Sequence, residues 1–454
     1  MGTRLSVIAE RLRNSYWFVP TVMMVGAAFL AWVTLNVDDE YDPEKLAWVG
    51  QLIYTGGSEG AYEVLGTIAA SMITVAGVVF SITIVSLQLA SSQFGPRMLA
   101  NFMRDRGNQI TLGTFVSTFL YSLLVLRTVR PNAETAVPHM SVTTALILGV
   151  AGLSVLIYFI HHISTTIQAP NLISSIGVEL GHATKQMFPD PDEVERVHGA
   201  AEQRDDPSLP ETFEAGSRLV DAAGTGYVQA IDLERLTSIA REHDLVIRIE
   251  TRPGRFVVEN TPFASAHPSA RITDEIAHGI AASLVTGARR TTQQDIEFPI
   301  KQMVEIGVRA LSPGINDPFT AATCVDQISA GLCEIAARKL PSPYLLDEDE
   351  QLRVVHADPV TFERLVGAAY DQLRQCADFH TSVYVHLLES LTRVAACVRD
   401  GSRIEPLLRE GKLVVEAAER NVEAEEDQEV IEERYDRLLS AAEAARRGAV
   451  GSPT

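Results

Sequence analysis

Four stretches of the chain contain no Asp, Glu, Lys or Arg: Asn14 to Val37, Val64 to Pro96, Gly107 to Leu126 and Val137 to Val178. A helix rising about 1.5 Å per residue needs roughly 20 apolar residues to cross a hydrocarbon core about 30 Å thick, and each stretch is long enough. They predict transmembrane helices over about 15–37, 64–94, 107–127 and 141–166. The first run is too long for a signal peptide and ends in Leu35-Asn36-Val37-Asp38 rather than in a small-residue cleavage pattern. Beyond Pro170 the pattern changes. Asn171 to Met187 reads as a polar helix closed by Phe188-Pro189-Asp190-Pro191, and Asp190 to Glu214 as a linker. Gly226 to Ile231 reads as a strand, Asp232 as the N-cap of a helix, and Leu245 to Ile249 and Phe256 to Glu259 as strands about the turn Arg252-Pro253-Gly254-Arg255. This β-α-β-β unit is too small to hold a core alone, so it must pack on neighbours. From Thr273 the pattern is helical, with long helices over Thr361 to Arg399 and Ile404 to Arg447.

The fold class is therefore mainly α: a four-helix transmembrane domain followed by a cytoplasmic α+β domain with a small β-α-β-β unit and long helices. The boundaries read as 1–170 for the membrane domain, 171–215 for the helix and linker, 216–265 for the small α+β unit, 266–447 for the helical domain and 448–454 for a disordered tail.

Charge sharpens this division. The formal net charge of −20 argues against nucleic acid as a partner, and it is unevenly spread. Residues 1–170 carry about 9 basic and 10 acidic side chains, against about 29 and 48 in the remainder. The first part is thus nearly neutral, as expected of a segment dissolved in lipid, and the second has the charge density of a solvated domain. Arg4, Arg11, Arg13, Arg97, Arg104 and Arg106 flank one side of the spans; Lys45, Arg127 and Arg130 flank the other. Positive flanks resist translocation, so both termini are expected in the cytoplasm. Asp38, Asp39, Glu40, Asp42, Glu44, Glu59 and Glu63 then fall on the external side, where several copies around an entrance would concentrate cations. Cys324, Cys333, Cys376 and Cys397 all lie in the second part, without C-x-x-C or metal-ligand spacing, and read as buried free thiols.

The second span holds the candidate chemistry. Thr67, Ser71, Thr74, Val78, Ser81, Val85 and Gln88, with Ser92 beyond them, recur every third or fourth residue and form a stripe rich in hydroxyls. Two readings of it stand. Small and hydroxyl residues let helices pack closely; alternatively, identical helices around a symmetry axis would turn the stripe toward water as a pore lining, with Val78 and Val85 at a constriction. His161 and His162 end the fourth span, where interfacial anchoring competes with a pH-sensing or gating role. Farther on, Asp317 and Pro318 suit the cap and first turn of a helix, so Leu311 to Pro318 reads as a structural elbow. Arg289, Asp295, Asn316 and Asp317 are the alternative there, as a polar cluster for a ligand or a subunit contact. No nucleophile elbow, P-loop or H-E-x-x-H is present, so no catalytic residue, cofactor or metal is assigned and the chain reads as a non-enzyme.

Phe18-Val19-Pro20, the second-span text Ser71 to Thr83 with Gln88 to Phe94, Tyr158 to Ser164, Gln294-Asp295 and Ala310 to Pro318 resemble the bacterial predicted membrane-protein family called domain of unknown function 2254. The resemblance runs from about Leu5 to about Leu439. It implies a bacterial inner-membrane location and the four-span layout, and it supplies no activity. The function expected from the residues is a homo-oligomeric ion channel or channel-like transporter. Its second span would line the path for inorganic cations, with the cytoplasmic domain assembling or gating it. The alternative is a non-transporting membrane scaffold or signalling protein whose helices anchor an interaction domain.

Overall fold

A computed structural model describes residues 17–40, 54–95, 105–130, 137–166, 168–188 and 208–448. Two compact units divide the chain between Asn171 and Leu172. The linker through residue 207, most of the loop between the first two spans and the tail beyond residue 448 lie outside the described residues.

The first unit contains α1 (Phe18–Glu40), α2 (Ser58–Phe94), α3 (Arg106–Leu126) and α4 (His139–Thr166). All four are long and apolar enough to cross a membrane. Helix α3 is the hub and packs against each of the other three. It is also the most enclosed of the four, and its buried face includes Phe115 and Tyr121. The outer faces of α1 and α4 stay exposed and apolar, with Val25, Phe29, Ile147, Val150 and Ile157 among them, as lipid-facing surfaces should be. Inside a bilayer such helices gain little from the hydrophobic effect, so close packing and interhelical hydrogen bonds hold them together. Gly107 is required for one such approach, because a Cβ there would lie 2.5 Å from Nε2 of His162.

In the second unit α5 (Ala169–Met187), which begins just before the boundary, is followed after the undescribed linker by β1 (Arg218–Asp221), β2 (Gly226–Ile231), α6 (Leu233–Glu242), β3 (Val246–Ile249), β4 (Phe256–Val257), β5 (Pro262–His267), α7 (Asp274–Ala281) and β6 (Leu284–Gly287). Then come α8 (Glu297–Ala310), α9 (Pro318–Ala336), β7 (Tyr344–Leu346), β8 (Leu352–His356), α10 (Phe362–Gln375), α11 (Thr381–Cys397), α12 (Ile404–Asn421) and α13 (Glu425–Arg446). The strands form two sheets, ordered β1-β5-β3-β8-β7 and β4-β2-β6. Pairing is antiparallel except between β3 and β8, where Ile247 faces Val354. Both sheets and α6 enclose one apolar core that includes Val228, Ile231, Leu236, Ile247, Phe263 and Val354.

This arrangement alters one expectation. The small α+β unit does not close on itself: its strands are divided between two sheets, and β6, β7 and β8 complete those sheets from the region read as wholly helical. The later strands are only three to five residues long, too short for alternation to stand out.

Candidate functional site

Helix α2 runs for 37 residues, about 55 Å, well past the hydrocarbon thickness. Its inward face is Ala61, Leu65, Ala69, Met72, Ala76, Val79, Ser86 and Ala90, all buried against the unit. Thr67, Ser71, Thr74, Val78, Ser81, Val85 and Gln88 are all exposed, on the side turned away from α2's own bundle. At Gly77, within this exposed surface, an added Cβ would meet nothing within 4 Å. The stripe is therefore not used for packing inside one chain.

Three hydroxyls on this face bond back to the helix. Thr74 Oγ1 donates to the Ala70 carbonyl at 2.7 Å, and Ser81 Oγ to the Gly77 carbonyl at 2.9 Å. Ser92 Oγ donates to the Leu89 carbonyl at 2.8 Å. At Thr74 and Ser81 the bond spends the hydroxyl proton on the helix and leaves the oxygen as an acceptor on an exposed face. At the N-terminal end the same face continues through two exposed carboxylates, Glu63 and Glu59, one and two turns before Thr67.

The two histidines separate. His161 is exposed, whereas His162 lies with Nε2 2.7 Å from Oδ2 of Asp105 and its ring stacked 5.2 Å from that of Tyr158. Asp105 is also the N-cap of α3, where Oδ1 accepts from the Gly107 amide at 2.8 Å. One carboxylate thus caps one helix and holds a histidine from another. A second capping carboxylate ties α1 to α4. Asp38 accepts from the Met140 amide at 2.8 Å, the Ser141 amide at 2.9 Å and Ser141 Oγ at 2.6 Å. Beside it, the Tyr121 hydroxyl lies 2.9 Å from Thr34 Oγ1 and donates to the Ser141 carbonyl at 3.1 Å.

The four polar residues proposed for the second unit do not form one cluster. Arg289 is exposed, and its carbonyl accepts from Gln229 Nε2 at 2.8 Å. Asn316 is exposed at φ 52°, and Asp317 caps α9 by accepting from the Thr320 amide at 3.1 Å and from Thr320 Oγ1 at 2.6 Å. Pro318 occupies the first turn, so Leu311 to Pro318 forms the elbow that local capping chemistry requires. Asp295 is buried and pairs with the neighbouring Arg290, whose Nη2 lies 2.6 Å from Oδ2. Burial pushes the Asp295 carboxyl up despite that partner.

A different constellation surrounds the Arg252-Pro253-Gly254-Arg255 turn. Glu297 is buried, with Oε1 2.9 Å from Arg252 Nη1 and 2.9 Å from Arg364 Nε, and Oε2 2.8 Å from Lys301 Nζ. Asp358 joins Arg252 at 3.1 Å and Arg364 at 2.5 Å. Burial alone would push the Glu297 carboxyl up, but Lys301, Arg252 and Arg364 outweigh it and hold the group below its ordinary range. Gly254 in the same turn has φ +84° and abuts the Arg290–Asp295 pair, since a Cβ there would lie 2.1 Å from Asp295 Oδ2. No periodic pattern marks the cluster, because its members come from three separate segments. It is a closed lattice of opposite charges, suited to fixing the loop against α8 and α10.

Comparison with known proteins places these features. The family model described as predicted membrane protein, DUF2254, matches residues 13–393. The chain belongs to this family. Among DUF2254 relatives, the uncharacterized proteins Mb1321c of Mycobacterium bovis and Rv1290c of Mycobacterium tuberculosis are each 30% identical over 442 residues. Those alignments cover 95% of this chain and 81% of either relative. No solved structure matches. The family description accords with the four candidate spans.

Proposed function

We propose that this DUF2254 protein is a homo-oligomeric ion channel or channel-like transporter of the bacterial inner (plasma) membrane, with the exposed stripe of α2 lining the path. The observation that carries this reading is the outward placement of all seven stripe residues on a helix whose opposite face is buried in its own bundle. A glutamine and several hydroxyls on lipid would be unfavourable, and a water-filled axis between copies removes that cost. Hydroxyl oxygens left as acceptors on the exposed face, preceded on the same face by Glu59 and Glu63, favour inorganic cations over anions. In this reading the termini and the second unit are cytoplasmic, the second unit assembles or gates the path, and the partners are lipid, further copies of the chain and cations, without nucleic acid or catalysis.

Open space at Gly77 supports a second reading, in which the same faces pack directly against one another at a dry seam and the protein is a non-transporting scaffold or signalling protein. Reconstitution separates the two. Purified protein in planar bilayers is expected to conduct cations, and Ser81→Trp or Val85→Trp to reduce the current. Silent bilayers across voltage, pH and tension, together with a monodisperse monomer in detergent, would overturn the channel reading.

A further inference from the structure

The four cysteines fall into two classes. Cys324 is buried and Cys376 half-buried, and burial pushes both thiols up, which makes them poor nucleophiles. Cys333 and Cys397 lie together on neighbouring helices. Arg393 of α11 reaches Ser329 of α9 at 3.1 Å and Asp326 at 2.7 Å. His386, almost two turns earlier on α11, faces Asp326 at 3.9 Å. The two helices therefore run in the same direction, and one turn beyond Ser329 and Arg393 the facing positions are Cys333 and Cys397. The two thiols are close enough there to shift each other's ionisation. Arg403 fixes this end of the pair by donating from Nη1 to the carbonyls of Ile335 at 3.1 Å, Ala336 at 3.2 Å and Arg338 at 2.7 Å. Both residues are half-buried, so neither is sealed in the core away from a small oxidant.

We propose that Cys333 and Cys397 form a modification site for hydroperoxides, converted reversibly from dithiol to an intramolecular disulfide joining the C-terminal ends of α9 and α11. Each thiol acts on the other, lowering Cys397 and raising Cys333, and on that direction we take Cys397 as the attacking thiolate and Cys333 as the resolving thiol. In the first step the Cys397 sulfur bonds to one peroxide oxygen, the O–O bond breaks, and the departing hydroxide takes a proton to leave as water. In the second step the Cys333 sulfur attacks the resulting sulfenic acid, the S–S bond forms, the S–O bond breaks and a second water leaves with the Cys333 proton. Two electrons pass from the sulfurs to the peroxide. The resting state in a reducing compartment is the dithiol, and a thiol reductant restores it.

The test uses the full chain in detergent, treated with stoichiometric hydrogen peroxide and followed by maleimide labelling and intact mass. The expected result is loss of two of the four thiols, a mass lower by two hydrogens, a non-reduced digest in which the peptides bearing residues 333 and 397 are joined, and recovery with dithiothreitol. Cys333→Ser should accumulate a dimedone-reactive sulfenic acid at Cys397, whereas Cys397→Ser should leave Cys333 unlabelled by dimedone at the same dose. Retention of all four thiols in the wild-type chain, or a disulfide mapped to any other pair, would overturn the proposal. So would equal dimedone labelling of both variants. None of these readouts depends on conduction, so the site stands or falls separately from the channel reading.

Discussion

The two units use the same side chains differently. In the membrane unit Asp38 and Asp105 accept backbone amides at the starts of α4 and α3, and Asp105 also holds His162. Its carboxylates thus serve as helix caps, where an anion meets the positive end of a helix dipole. In the second unit, where Asp317 also caps a helix, Glu297 accepts from Lys301 and lies within ion-pair distance of Arg252 and Arg364, and Asp358 accepts from both arginines, in a lattice that fixes a loop between helices. A segment surrounded by lipid uses its few charges where unpaired backbone groups already exist. A solvated segment can gather cations and anions from distant parts of the chain and close them on one another.

The sharpest way to break this contrast is Glu297→Gln. It leaves buried Arg252 with Asp358 as its remaining anionic partner and is expected to destabilise the second unit by about 3 kcal/mol, measured by denaturant unfolding. Acid should act on the same lattice. Burial opposes ionisation of Glu297 and Asp358, but the arginines, and for Glu297 also Lys301, hold both carboxyls below their ordinary values in the fold. Their stabilising contribution is therefore complete above about pH 5 and is lost as pH falls through the lowered values, below about pH 4. Acid titration followed by limited proteolysis should open the loop around Arg252 in that window, and should do so at higher pH in a chain lacking Arg364.

Removing a cap should cost less. Asp38→Ala is expected to lose about 1–2 kcal/mol, read as a lower melting temperature in detergent, because three donors at the start of α4 lose their acceptor. The smallest effect belongs to Arg437→Ala. Its pair with Glu433 is exposed on both sides, and the change should leave the melting temperature nearly unchanged in the same assay.

What was legible in the sequence follows the range of the interactions involved. The spans needed only a count of uncharged residues, and the Asp317-Pro318 elbow needed only neighbours in the chain. The direction faced by the second-span stripe was not legible, since packing and exposure are spelled with the same Ser and Thr residues. Tertiary packing decides it, through Ala69, Met72, Ala76 and Val79 on the opposite face. The pairing of β3 with β8 was equally hidden, because Ile247 and Val354 meet across more than a hundred residues. That Arg290 rather than Arg289 lies beside Asp295 turns on one position in a loop, where no periodicity assigns sides.

The most direct test of the central claim is cysteine accessibility along α2, in a background with the four native cysteines replaced and with current through a planar bilayer as the readout. Single cysteines at Thr67, Ser71, Thr74, Ser81 and Gln88 should react with a charged thiosulfonate and block the current. Those at Leu65, Ala69, Met72 and Ala76, on the buried face, should neither react nor block. Conduction that is indifferent to modification on either face, or blocked equally from both, would contradict a path lined by this stripe.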